Sequence, residues 1–371
     1  MKKSLWIVPF LSFSLLASCG EVSSSSLASS SSLESLNSSL PASSSQEAGL
    51  DDVTPFSFKA ICPKGAPSMA FTPFLKGYQG QLSFAAPANV RAAFATQEYG
   101  AVVFDLNVGA KLIKANSFNY KLAGVLTKGN VFIISTGKDA NKTLEEGDKI
   151  VSFGTNSLFT GIFKKVYNVS TLTEVSDVSV AYTVADTGLN NGEDVDYVLL
   201  SEPMVTKLML KKATDSSSAP LTTSIYANLT EKWQEYSKEQ KLNNGLGYDG
   251  FPQAGIFISK TLEDDQTKKA EVSAFLDKIA ETGEDFELNQ GKKAIQILEN
   301  DTSSGLYKTE DVFNLPLNMI KSIVNLPSFT NSANPFGFNP LSFKLNDFLS
   351  DAKITGFPSI DTSLFSSYFP S

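Results

Sequence analysis

Apolar residues along this chain fall into two kinds of run. Short uninterrupted blocks alternate with longer stretches spaced at three and four, and that alternation predicts strands followed by helices. Strand-like blocks at residues 56–62, 82–85, 101–106, 121–126 and 130–135 are interleaved with helical periods at 69–75, 89–96 and 110–114. The pattern restarts beyond Gly137, with strands at 149–153, 178–182 and 195–200 and helices at 159–167 and from Glu202 through Leu210. A charged helical stretch follows at 226–240, then a strand at 254–259 and a long amphipathic helix at 268–282. Residues 325–340, rich in Asn, Pro and Phe, keep neither period. Strands alternating with helices belong to α/β proteins with mainly parallel sheets. No internal repeat is present.

The first eighteen residues read differently. Lys2 and Lys3 precede an apolar stretch at 5–16 that contains Pro9, the zones of an export signal. That stretch is short of the roughly 20 apolar residues a spanning helix needs. It ends in Leu16-Ala17-Ser18-Cys19, which resembles the bacterial lipobox, so residues 1–18 are expected to be a lipoprotein signal and Cys19 the lipidated residue. Acyl chains added there anchor a protein to a bilayer, several together far better than one. The serine-dominated run that follows has too little apolar surface to offset its ordering entropy, and 19–52 is read as a disordered tether. About 33 residues of such chain span roughly 30 Å in the root mean square. The expected location is the outer face of the bacterial cytoplasmic membrane, held by lipid.

Composition narrows the chemistry. Without Lys2 and Lys3 the formal charge moves from −8 to −10, which argues against nucleic acid as a partner and against a basic membrane-binding surface. After Cys19 only Cys62 remains, so no intramolecular disulfide can form. The chain has no histidine. Ser-His-Asp and Cys-His nucleophiles, imidazole acid–base chemistry and histidine-bearing zinc sites are thereby excluded. Carboxylate or lysine chemistry survives, but the expectation is a protein that is no enzyme and needs no cofactor or metal. Some 320 residues beyond the tether suffice for two domains.

In sequence order, five segments carry a resemblance: Pro63-Lys64-Gly65-Ala66-Pro67-Ser68 after the first strand, Val102-Val103-Phe104-Asp105-Leu106-Asn107, the turn Gly154-Thr155-Asn156-Ser157, Leu200-Ser201-Glu202-Pro203-Met204-Val205-Thr206, and Phe251-Pro252-Gln253-Ala254. Together they resemble the substrate-binding proteins of ATP-driven importers with the type 2 periplasmic-binding-protein fold, nearest the nitrate, sulfonate, taurine and pyrimidine-precursor class. The family more often has a proline and a small hydroxyl residue before the asparagine, where this chain has Asp105 and Leu106, and the tail after about Asn325 matches poorly. The resemblance implies two α/β lobes, each a mostly parallel sheet with flanking helices, joined by two crossover strands near residues 134–138 and 251–254. Lobe one is then 53–136 plus 254–371 and lobe two 137–253. It also implies a small-molecule ligand and an ABC permease as partners, and a monomer. Two alternatives stand beside it: a surface lipoprotein that binds a macromolecule on the same scaffold, and an enzyme of the same fold.

In open α/β sheets ligands gather beyond the carboxyl ends of the strands. The loops there are expected to supply Gly65, Ala66, Pro67, Ser68, Asn107, Gly154, Thr155, Asn156, Ser157 and Glu202 as ligand contacts. Glycine permits close backbone approach, and helix N-termini offer N–H donors with a positive partial charge, so an anionic or polar solute is the expected guest. Phe104, Phe153 and Phe159 flank these loops, but phenylalanine is core by default.

Overall fold

The computed structural model describes residues 49–136, 143–154, 157–214, 223–325, 334, 336–354 and 360–370. The expected signal, Cys19, and the tether as far as residue 48 lie outside the described residues, as do Thr155 and Asn156. The chain opens with β1 (Ala60–Pro63), a 3-10 helix (Ala66–Phe74), β2 (Leu82–Ala85), α1 (Pro87–Thr96), β3 (Ala101–Asp105), α2 (Leu106–Asn116) and β4 (Tyr120–Thr127). It continues through β5 (Val131–Ser135), β6 (Ile150–Phe153), α3 (Leu158–Tyr167), β7 (Thr173–Val175), α4 (Val178–Thr187), a hairpin of β8 (Leu189–Asn190) and β9 (Glu193–Asp194), β10 (Tyr197–Ser201), α5 (Met204–Thr214), β11 (Ser224–Asn228) and α6 (Leu229–Glu239). Next come β12 (Ala254–Ser259), α7 (Lys260–Asp264), α8 (Lys269–Asn289), α9 (Lys292–Ser303), α10 (Thr309–Phe313), α11 (Leu317–Asn325), β13 (Phe338–Leu341) and α12 (Leu345–Ala352).

Two sheets carry the two lobes. The first has the order β13-β4-β12-β3-β1-β2 and the second β11-β5-β10-β6-β7. In the first, β2, β1, β3 and β4 run one way, while β12 and β13 oppose them. In the second, β5 alone opposes the rest. Strands buried on both faces, such as β5 and β12, are continuous apolar runs, as a sheet covered by helices on each side requires. The face of α8 that meets the first sheet is a stripe of Val272, Phe275, Leu276, Ile279 and Phe286, spaced at three, four and seven. Gly283 interrupts that stripe where the backbone of Asn339 passes; a Cβ there would stand 2.7 Å from the Asn339 carbonyl oxygen.

Topology fixes where the lobes meet. Only residues 128–130 separate the end of β4 from the start of β5, and the start of β5 pairs with the end of β10, Val131 against Ser201. The carboxyl ends of β1, β3 and β4 in one sheet therefore face those of β6, β7 and β10 in the other. The first crossing thus lies at 128–130, earlier than the expected 134–138, and β5 belongs to the second sheet. Its sequence, Val131-Phe132-Ile133-Ile134-Ser135, is buried throughout, and a run without periodicity carries no mark of which sheet it joins.

Three other expectations are corrected. Residues 178–182, whose Val-Ser-Val alternation suggests a strand, are the first turns of α4, because Asp177 accepts bonds from the N–H groups of Ser179 and Val180 and Ala181, Val184 and Ala185 form one buried face. The helix expected at 226–240 begins as strand β11, and α6 starts at Leu229, capped by the Asn228 side chain. Leu50 is already packed in the core around Phe56 and Phe275, so packing begins inside the stretch expected to be tether. No helix among the described residues is long and apolar enough to cross a membrane.

Candidate functional site

Six helices start at the facing strand ends, and they differ in how their first N–H groups are satisfied. Asp105 closes α2, accepting from Val108 N–H at 2.9 Å. Asp177 closes α4. Glu202 closes α5, its Oε2 accepting from Thr206 N–H at 3.1 Å and its Oε1 from the Thr206 hydroxyl at 2.8 Å. The 3-10 helix after Gly65, α1 after Ala86 and α3 after Ser157 have no side-chain cap. A helix start already bonded to its own carboxylate has little left for an anion; an uncapped one keeps its donors and its positive end.

The predicted contacts divide accordingly. Gly65 has φ 119° and open space where a Cβ would stand, and it follows β1, which lies between β3 and the edge strand β2. Ser68 turns the other way: it is fully buried, and its hydroxyl donates to the carbonyls of Gly65 (2.7 Å) and Val312 (3.1 Å). Pro67 has no N–H, and Ser68 N–H bonds back to Gly65, so this turn offers at most the N–H groups of Gly65 and Ala66. Asn107 is buried in the first turn of α2.

Across the joint, Ser157 N–H bonds to the Gly154 carbonyl at 3.0 Å, closing the turn ahead of α3. The Ser157 hydroxyl pairs with that of Thr160 at 2.9 Å, which in turn pairs with Ser152 at 3.2 Å. Ser157 thus gives the N–H groups that open α3 no side-chain cap. Phe153 lies against Phe159, centroids 4.7 Å apart, and Phe104 against Phe94 at 6.0 Å, so both pairs belong to packing.

Burial pushes the Asp105 carboxyl up to about 6, against the pull of the Val108 and Asn107 N–H groups. Burial likewise pushes Glu202 up to about 7, against its two bonds from Thr206. The sequence points to Glu202 as a ligand contact; at 1% exposure with both oxygens bonded to Thr206, its carboxylate is occupied as a cap.

Two residues at the joint, Gln253 and Asn130, take hydrogen-bonding roles that the sequence does not mark, although Gln253 lies in the segment expected to be a crossing. Gln253 N–H donates to the Thr127 carbonyl at 2.9 Å, its carbonyl accepts from Leu106 N–H at 2.9 Å, and its Oε1 accepts from Asn130 N–H at 3.2 Å. Asn130 accepts at its carbonyl from Glu202 N–H at 3.0 Å. The loops after β3, β4 and β10 are thus tied through one glutamine. No sequence pattern marks such a role, since it depends on two segments more than a hundred residues apart. A cavity of about 430 Å³ lies elsewhere, lined by Lys128, Tyr248 and Asp249 of the crossings and by Phe343 and Lys344, and includes none of the predicted contacts. Among the described residues, no cluster of His, Cys, Asp and Glu is placed to hold a metal ion.

No family model matches the chain, and no curated protein matches it. Solved structures do. An ABC transporter from Parabacteroides distasonis is 16% identical, with a TM-score of 0.51 over 85% of this chain and 99% of that one. The ligand-binding component of an ABC-type import system from Staphylococcus aureus, solved with zinc bound, is 11% identical, with a TM-score of 0.53 over 84% of this chain and 99% of that one. At these identities the likeness is one of fold: two α/β lobes, each built on its own sheet.

Proposed function

We propose that this chain is an extracytoplasmic solute-binding lipoprotein that captures a small polar or anionic solute between its lobes and delivers it to an ABC-type permease. The observation that supports the reading is the start of α3, which Ser157 leaves without a side-chain cap, at the strand ends where the lobes meet, beside α2 and α5, which Asp105 and Glu202 close. A site built this way selects for negative charge at one place and not along the whole joint. Gly65, Ala66, Asn107, Gly154 and Ser157 are the proposed contacts, with Thr155 and Asn156 in the same turn as Gly154. Solute would seat on one lobe and draw the other over it by hinge motion. The absence of histidine supports a binding role over a catalytic one, and no cofactor is proposed. The partners are the solute, a permease and a lipid anchor on Cys19, with the protein acting as a monomer on the outer face of the cytoplasmic membrane.

Native mass spectrometry of the protein purified without added ligand tests this. The expected result is a retained small solute, released on unfolding. A protein that carries none and shows no thermal shift across a library of organic and inorganic anions would sink the reading. The anchor is tested separately: Cys19→Ala should abolish acyl labelling and leave unprocessed or soluble protein.

A further inference from the structure

We propose that the C-terminal segment is a strap that ties the two lobes together beside the crossings and limits how far they swing. The proposal rests on the reading that the lobes move. Beyond β13 the chain does not stay with the first sheet. β13 pairs with β4, Phe338 against Thr127, and the Asn339 side chain donates to the Val125 carbonyl at 2.8 Å. The next helix, α12, docks on the second lobe. Phe348 lies against Trp233 of α6, ring centroids 5.7 Å apart, and against Tyr248 at 5.2 Å. Lys165 of α3 donates to the Ala352 carbonyl at 2.6 Å. Asp351 Oδ2 accepts from the Tyr248 hydroxyl at 2.8 Å and from Asn243 N–H at 2.9 Å.

The chain then comes back. Asp361 pairs with Lys114 of α2 at 2.9 Å, Ser366 N–H donates to the Leu122 carbonyl of β4 at 2.8 Å, and the Ser366 hydroxyl donates to Glu263 at 3.0 Å. The segment is therefore fixed to the first lobe at both ends and to the second lobe in its middle. Two linkers alone let a pair of lobes rotate about the line joining them. A third attachment, set off from that line on α3 and α6, must stretch, slide or detach when the lobes rotate. The stretch at 342–344 that spans the lobes borders the 430 Å³ cavity over Lys128 and Asp249. It has room to flex by a limited amount before α12 must leave its seat.

The test is a distance distribution measured by pulsed electron spin resonance on the full acylated protein in detergent, without ligand. Spin labels go on cysteines introduced at two exposed positions, Glu98→Cys on the first lobe and Thr171→Cys on the second; Cys62 is buried and Cys19 acylated. Intact protein should give one narrow distribution. Phe348→Ala with Asp351→Ala should at least double its width while circular dichroism stays native. Tyr248→Phe with Asp351→Asn, which keeps the packing and removes the phenol–carboxylate bond, should widen it measurably even if the first pair fails to fold. An unchanged width in the folded variants overturns the strap, as does an intact protein already as broad as they are. Solute retention is read in a different experiment, so failure here leaves the binding reading standing on its own test.

Discussion

Gln253 Oε1 accepts the Asn130 backbone N–H at 3.2 Å, joining the segment that leaves the first sheet to the segment that returns to it. The main-chain bonds of Gln253 to Thr127 and Leu106 do not depend on its side chain; the link to Asn130 does. Gln253→Leu leaves a largely buried donor without a partner. The expected cost is about 1–2 kcal/mol in urea unfolding. Gln253→Glu keeps an acceptor in place and should lose less than half of that. Equal losses for the two variants would mean that shape, not the hydrogen bond, matters at this position.

The uncapped start of α3 gives a prediction with opposite signs for stability and binding. Aspartate is a good N-cap, so Ser157→Asp should hold or raise the melting temperature. The same carboxylate occupies the donors and repels an anion. Affinity for a retained anionic solute should fall at least tenfold, about 1.4 kcal/mol, measured by calorimetry. Undiminished binding in a folded Ser157→Asp protein would remove α3 from the site. This substitution is cleaner than a bulky residue at Gly154, whose φ of 73° would be strained by any side chain whatever the ligand does.

Most strands are legible in the sequence because continuous apolar blocks are hard to place anywhere but inside a sheet. β1, β3, β10 and β12 lie within a residue or two of the blocks that announce them, apart from the early start expected for β1. Pairing is less legible. The pattern puts β5 in the wrong sheet, since its buried run has no face to distinguish, and it makes α4 look like a strand because the first five residues alternate. The tail is unreadable for a different reason. α12 has only eight residues, and its hold on the second lobe depends on Trp233 and Tyr248, about a hundred residues earlier. At the candidate site, sequence proposes the loops but does not say which donors are already used: the Ser68 hydroxyl is turned into the core, and the Glu202 carboxyl is bonded to Thr206.

The crossings approach each other more closely than side chains permit. A Cβ on Gly250 would stand 2.2 Å from the Lys128 carbonyl oxygen, the same oxygen that accepts Phe251 N–H at 3.0 Å. Backbone cannot yield there as the tip of a flexible side chain could. Gly250→Ala should cost more than about 2 kcal/mol, while Gly77→Ala, with nothing within 4 Å of its Cβ, should be close to neutral. Urea midpoints for the pair decide it. A neutral Gly250→Ala would show that the two crossings can separate without penalty.

Glu202 links stability to pH with a definite sign. Its carboxyl is raised from 4.5 to about 7 by burial, so between those values the folded protein holds a proton that the unfolded chain has released. Its contribution is therefore complete below about pH 4.5 and is lost as pH rises through 7. A shift of this size corresponds to at most about 3 kcal/mol. A glutamine side chain here would mimic the protonated form at every pH, with its amide oxygen accepting from Thr206 N–H and its amide nitrogen donating to the Thr206 hydroxyl. Glu202→Gln should thus match the wild type near about pH 5 and exceed it by about 1–3 kcal/mol at about pH 8, the gap opening between about pH 5 and 7. Urea unfolding at unit pH intervals gives the curve. A gap that stays constant across that window would mean that Glu202 ionises in the folded protein as it does in water, and that its two bonds from Thr206 outweigh its burial.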